Sequence, residues 1–490
     1  MIIHFLWFNG LLSSDGLFSA FCFVTFITKS IVGFILSESF YISLSWIMWL
    51  MKSLRSLLES GYLLPLFVFG FYLWLLFKDP LISGVDGPYY LIQVESILRG
   101  DGMVYGDPPL LFYLSSLSAY LFGDVRVGVS FTVALLSSLS VFPIYLLFRR
   151  LGDEYAAVVS SILLVFSPQL IRMAGDFMKN AVGIFFLTFS IYLVSRGLWD
   201  DDNRSLVSGF FVSMLTFMAH SLDFAFLLIF LFSYPILLLF FSDLRFRRWI
   251  LFVSSLMVAA VLLVLVFPNL FSDVGKGVSF LRDLLRFGVT AVSQNKFSPR
   301  LDGVLGPISF LNLSFVFLYL LAGSIVFFVR WRSMSSERFY LFLVALFFGY
   351  VGVLPTVLDL RVWAWRFILM ECLSISMIVG LVLGEVEGWW SILFLSVFLI
   401  SPILVQSVYA VRLVHPSILM PVYMDLMEMR NLIDGSYMAV LRLDRYWLQY
   451  ILGSLPKGDS NYLITYFPPH LSYGWRLIFR GVRLLLFKRI

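Results

Sequence analysis

The chain has 490 residues, of which 60% are hydrophobic and 13% charged, with a mean hydropathy of +0.93; a water-soluble domain could not hide that much apolar surface. Its net charge of +5 is carried by short arginine clusters between apolar runs, a membrane-topology pattern and not a nucleic-acid footprint. Two cysteines, Cys22 and Cys372, both in apolar runs, are too few for a disulfide framework or a structural metal site.

In chain order, apolar segments fall near 15–36, 38–51, 61–79, 128–148, 155–171, 177–195, 205–219, 221–241, 249–268, 309–329, 338–357, 363–383 and 389–409. Several exceed the length needed to cross a hydrocarbon layer of about 30 Å. Such long unbroken runs exclude a strand barrel, so the expected class is an all-α polytopic membrane protein. The first two runs are the weakest, because Lys29 interrupts one and the other is short, and they form an N-terminal membrane hairpin at 1–55. No basic segment leads into a small-residue cleavage site, so no cleaved signal peptide is expected. Segment 109–123 is too short to span upright and is expected at the interface, and 205–241 must split near "MAHSLD", with His220 and Asp223 at the turn.

Charge bias sets the orientation. Lys52 and Arg55, Arg149 and Arg150, Arg196 and Arg204, Arg245 to Arg248, and Arg330 to Arg338 fall on one side if each segment from 61 onward crosses once. By the positive-inside rule that side is cytoplasmic. The outer side then receives 80–127, 172–176, the turn at 220, 269–308, 358–362 and 410–490. In a plasma membrane this is the extracytoplasmic face, and in an endomembrane the lumenal one.

The unusual polar residues collect on that outer side. "GVDGPYYL" supplies Asp86 and Tyr89, "RMAGDFMKN" supplies Arg172, Asp176, Lys179 and Asn180, and "DLRVWAWRFILMECLS" supplies Asp359, Arg361, Arg366 and Glu371. Ionisable groups at a hydrophobic layer are costly and usually face an interior or an aqueous cavity. Each also has an ordinary structural reading. Asp86 either opens the Gly-Pro turn or acts as a carboxylate on a substrate. Asp176 either caps the helix starting near Phe177 or orients a substrate, and with Asp86 it could help hold a divalent cation such as Mg or Mn. Lys179 snorkels, pairs with Asp176 or meets phosphate. Arg366 pairs with Glu371 or presents its planar fork to phosphate oxygens. Arg361 lies nearer the headgroups, His220 is a helix-end turn residue or a phosphate ligand, and Tyr89 anchors the loop or stacks on sugar.

These motifs, in this order and on one side, resemble those of the GT-C integral membrane glycosyltransferases, the group of protein mannosyltransferases, aminoarabinose transferases and oligosaccharyltransferases. "GVDGPYYL" looks like the start of their first large outer loop, with Asp86 at the catalytic aspartate. "GDPPLLFYL" at 106–114 looks like their Pro-Pro-Leu element, "AGDFMKNAVG" like the second acidic element, and "WRFILMECLSI" like the arginine-bearing late helix. The chain departs from the oligosaccharyltransferase branch, which has two acids one residue apart where only Asp176 stands here, and a WWDYG element that is missing here.

The resemblance implies a bundle of about 11–13 transmembrane helices with a large first outer loop: a catalytic domain at 56–410 and a small outer region at 411–490. "PVYMDLMEMRNLIDGSYMAVLRLDRYW" reads as helix, turn and short strand, and "NYLITYF" belongs to the same appendage. The resemblance further implies an inverting transfer of sugar from a polyprenyl-phosphate donor to a lipid, glycan or protein acceptor. Asp86 would be the base or acceptor-orienting carboxylate with Asp176 as the second catalytic residue, Arg366 the donor-phosphate ligand, and Lys179, His220, Arg361, Glu371 and Tyr89 further substrate-binding residues, with membrane lipids around and no nucleic-acid partner. The rival class is a transporter or lipid-linked glycan flippase, which would carry charges at mid-membrane in related halves.

Overall fold

The computed structural model describes residues 63–241, 245–271, 308–358, 361–386, 389–439, 445–457, 460–466 and 475–489. The chain divides into two units, Met1–Leu64 and Pro65–Ile490. The expected hairpin at 1–55, most of the connector 269–308, and Asp359 lie outside the described residues.

Helix α1 (Leu63–Phe77) leads into the first loop, which carries α2 (Gly87–Leu98) and α3 (Leu110–Phe122). Helix α3 ends at Gly123 in the left-handed conformation, and Asp124 caps the next helix by accepting from Val127 N at 2.7 Å. Helices α4 (Val125–Leu139) and α5 (Val141–Arg150) form one span, whereas α6 (Glu154–Val165) and α7 (Pro168–Asp176) are bent by 40° where Pro168 starts a new helix. Then come α8 (Met178–Trp199), α9 (Asn203–Ala219), α10 (Ser221–Ser233) with a 3₁₀ extension, and α11 (Phe246–Val266). Beyond the connector lie α12 (Ile308–Arg330), α13 (Ser336–Val357), α14 (Arg361–Leu369), α15 (Glu371–Leu383) and α16 (Trp389–Leu413).

Every apolar stretch from 61 onward therefore carries a helix, and 205–241 breaks at His220 as expected. Among the described residues six helices are long and apolar enough to cross a membrane, or seven if the bent pair is one span; α1, α3, α10 and α12 are shorter apolar helices. Helix α3 buries Leu111, Phe112 and Ala119 and exposes Tyr113, Leu117, Tyr120 and Leu121. That two-sidedness suits a helix lying at an interface.

Helix α8 is the axis of the bundle, packing on α4, α5, α7, α9 and α10. Its 22 residues make it about 33 Å long, with Lys179 at one end and Arg196 at the other. At the Arg196 end Arg150 bonds both Asp200 and Glu337 at 2.6 Å. Arg196 pairs with Asp202, and Arg338 with Glu385, each at 3.0 Å. The arginine-bearing connectors thus meet at one end, and the candidate site lies at the other.

The tail adds a sheet to this helical body. After α17 (Met420–Met429) come β1 (Tyr437–Ala439), α18 (Arg445–Leu452), β2 (Tyr462–Thr465), β3 (Trp475–Arg480) and β4 (Leu485–Arg489), in sheet order β1-β2-β4-β3. The first pair is parallel and the other two antiparallel. Helix α18 packs on α2, with Gln449 accepting a hydrogen bond from the Tyr105 hydroxyl, so the tail is clamped to the first loop.

Candidate active site

The site is built around a glycine. Gly84 has φ +82°, a conformation costly for any residue with a Cβ. Its N–H donates to the His415 carbonyl at 3.0 Å, it bridges to Pro416, and the Ser83 hydroxyl donates to the Gly175 carbonyl at 3.2 Å. A Cβ on Gly84 would stand 2.8 Å from Asp176 Oδ1. Loop start, α7 end and tail start are therefore in direct contact, and two residues further on Asp86 comes within electrostatic reach of Asp176.

Asp86 occupies the position preceding α2, but its side chain makes no capping bond. Pro88 in the first turn supplies the preset φ. Its charge also bears on Tyr90 and on Tyr446 of the tail. The capping role weighed for Asp176 is not realised: it is the last residue of α7, and Phe177 stands at the start of α8 without any side-chain cap. Asp176 is buried and ion-paired with Arg172 one turn earlier, and Arg172 also donates to the Leu413 carbonyl at 2.6 Å.

Lys179 forms an ion pair with Asp107 of "GDPPL", and its backbone N–H donates to the Tyr90 hydroxyl at 3.4 Å. Asp107 also accepts from the Tyr89 hydroxyl at 2.5 Å. The Tyr89 hydroxyl is thus engaged within the loop, and its half-buried ring packs among Tyr90, Tyr105, Phe112 and Tyr446. Burial first, and then the Asp107 charge, push its phenol far above the ordinary value, which keeps it a donor. Gln93 completes the clamp by bonding both the carbonyl (2.9 Å) and the N–H (3.0 Å) of Tyr105.

Arg366 lies over Trp363 and Trp365, its guanidinium 5.3 and 5.0 Å from their ring centroids. Trp365 in turn packs 4.8 Å from Phe177, the residue after Asp176, so α14 brings Arg366 to the α7–α8 junction. The pairing with Glu371 is not made. Glu371 is 1% exposed, packed against Gly352 of α13, and forms no ion pair among the described residues. It belongs to the helix core and not to the substrate surface. Arg361 starts α14, and its side chain lies outside the described residues.

His220 bonds Asp223 through Nδ1 at 2.9 Å, and Asp223 is buried against Gly183. Gly183 is one turn beyond Lys179 on α8, so this pair sits just below the site. Asp107 and His415 were missed by sequence reasoning. Asp107 had a signal, an acid directly before Pro-Pro in an outer loop; His415 had none, since its place depends on tail packing. No group of three or more His, Cys, Asp or Glu able to hold a metal ion occurs among the described residues, and Asp176 is engaged by Arg172.

The helical bundle and its first loop share their fold with solved structures of the GT-C class. Residues 106–271 match the family profile described as dolichyl-phosphate-mannose-protein mannosyltransferase. Among solved structures, ArnT from Cupriavidus metallidurans in the apo state is similar at 13% identity and TM-score 0.59, covering 90% of this chain and 98% of that one. The same protein bound to undecaprenyl phosphate matches at 12% identity and TM-score 0.56, with 88% and 98% covered. The Archaeoglobus fulgidus oligosaccharyltransferase, crystallised with zinc and sulfate, matches at 15% identity and TM-score 0.50 over 80% of this chain. Only 62% of that enzyme's length is spanned. No curated protein sequence matches the chain significantly.

Proposed function

We propose that the chain is an inverting glycosyltransferase that moves a sugar from a polyprenyl-phosphate donor to an acceptor on the extracytoplasmic face. The observation that carries this reading is the meeting of Asp86 and Asp176 across Gly84, with Arg366 brought to the same junction through the Trp365–Phe177 contact. The ArnT structure bound to undecaprenyl phosphate supports the donor class by analogy of fold. The arginine-rich end of the bundle, read by the positive-inside rule, supports the sidedness.

In the proposed reaction Asp86 accepts the proton of the acceptor nucleophile as that atom attacks the anomeric carbon opposite the phosphate. The anomeric C–O bond breaks, its electron pair leaves with the polyprenyl phosphate, and one displacement inverts the carbon. Arg366, held flat by two indoles, offers paired donors to the phosphate as its charge grows. Asp176, fixed by Arg172, orients the acceptor. Lys179 and His220, each bound to a carboxylate, are positioning groups.

The test is turnover by protein in nanodiscs with a panel of polyprenyl-phosphate sugars and cell-derived acceptors. Wild type should form a donor-dependent product, Asp86→Asn should abolish it, and Arg366→Ala should raise the donor KM. Equal turnover by wild type and Asp86→Asn would remove Asp86 from the chemistry.

A further inference from the structure

A concavity lies away from Asp86, between the far end of α2 and the tail. It encloses about 390 Å³, and its walls include Glu95, Ser96 and Arg99 of α2, Asp101 just beyond, Arg430 after α17, and Tyr450 of α18. That volume falls within the range of small-molecule sites. None of these side chains belongs to the Asp86–Asp176 constellation.

Its chemistry is selective. Two acids and two arginines face it and their formal charges cancel, so neither a polyanion nor a basic peptide gains by charge. Asp101 and Arg430 are exposed, come from separate elements and form no ion pair among the described residues; Glu95 and Arg99 pair with each other at 2.6 Å. Carboxylates accept and guanidinium groups donate in fixed planes, a pattern that matches adjacent hydroxyls able to do both. Tyr450 adds an aromatic surface braced by Trp447 at 6.2 Å between ring centroids.

The position also sets a length. Glu95 and Arg99 lie nine and thirteen residues beyond Asp86 along α2, about 14–20 Å at helical rise. A ligand in this concavity that also reached Asp86 would have to be an extended chain of several units.

We infer that this groove binds a neutral, hydroxyl-rich oligosaccharide, the distal part of a glycan acceptor whose terminal sugar reaches Asp86. The length argument rests on the transferase reading above, whereas the groove's binding chemistry does not. Full-length protein in nanodiscs is applied to an oligosaccharide array and, separately, to a peptide array. The variants are Tyr450→Ala and the exposed pair Asp101→Ala and Arg430→Ala. Wild type should retain a set of neutral glycans, and the groove variants should bind them at least about tenfold more weakly. Because Asp101 and Arg430 are solvent-facing, their loss of binding reports on the groove and not on folding. Retention of no glycan, equal retention by all groove variants, or selective retention of peptides would overturn the assignment. Donor turnover measured in parallel separates the two proposals: glycan retention without any turnover keeps the groove and removes the transferase reading.

Discussion

Arg172 donates from Nη1 to the carbonyl of Leu413 at 2.6 Å, across 241 residues of sequence, while its other arm holds Asp176. One side chain therefore ties the end of the last bundle helix to the second acid of the site. Both partners of the ion pair are buried, so truncating one leaves the other as an uncompensated charge. Arg172→Ala should cost about 3 kcal/mol in an SDS unfolding titration. Arg172→Lys, which keeps the charge but not the fork, should recover stability more than turnover. If Arg172→Ala unfolds at the wild-type SDS fraction, the buried pair does not stabilise the bundle.

Gly84 separates backbone strain from site geometry because the loop carries its own control. Gly100 has a similar φ of +88° but nothing within 4 Å of a built Cβ, whereas a Cβ at Gly84 meets Asp176. Both alanine substitutions incur the left-handed penalty of about 1 kcal/mol. Only Gly84→Ala should also push Asp86 and Asp176 apart. The expected result is a fall in kcat of about a hundredfold for Gly84→Ala, with Gly100→Ala near wild type. Equal effects would show that strain, and not the spacing of the acids, governs the loop.

The helical body was legible because its signal is length of apolar run, which burial against lipid or protein equally requires. The split at His220 and the common end of the arginine connectors were legible for the same reason. Asp86 and Asp176 were legible as motif positions, though not their contact, which depends on Gly84 docking beneath a tail segment more than three hundred residues away. Glu371 shows the limit in the other direction. Helix α15 is apolar all round, so no periodicity indicates whether an acid within it faces a cavity or a neighbouring helix. Lys179 shows another: an i, i+3 acid lies nearby in Asp176, yet the ion pair goes to Asp107, because Arg172 already holds Asp176. The sheet was only half visible, since β3 and β4 are short and mix arginines and a lysine into apolar residues without a clean alternation.

Asp425 controls the tail. It is buried and accepts the backbone N–H groups of Val482, Arg483 and Leu484 at 2.9, 2.7 and 2.8 Å, pinning the β3–β4 turn to α17. Three such bonds to a carboxylate cannot be replaced by an alanine, and the loss should be about 3 kcal/mol within this domain. Limited proteolysis of Asp425→Ala should cut within 445–489 while the membrane bundle stays intact. Since α18 clamps the first loop, glycan retention by the groove should fall with it. Uniform resistance to protease would mean that the hairpin is held by β-pairing alone.

The buried tyrosines of the first loop give the protein an alkaline limit. Burial first, with help from Asp107 for Tyr89 and Asp86 for Tyr90, raises both phenols above their ordinary value, and burial lifts Tyr450 to about 12. A phenol whose folded value is raised stabilises the fold fully below its unfolded value of about 10. Above that pH the unfolded chain releases the proton while the folded chain retains it, so stability falls as pH rises. Thermal melting in nanodiscs should therefore be flat from pH 8 to about 10 and then decline. Tyr89→Phe should melt lower at neutral pH, because the bond to Asp107 is gone, and should decline less steeply above pH 10. A Tyr89→Phe curve parallel to wild type across that range would show that Tyr89 ionises as freely in the fold as out of it.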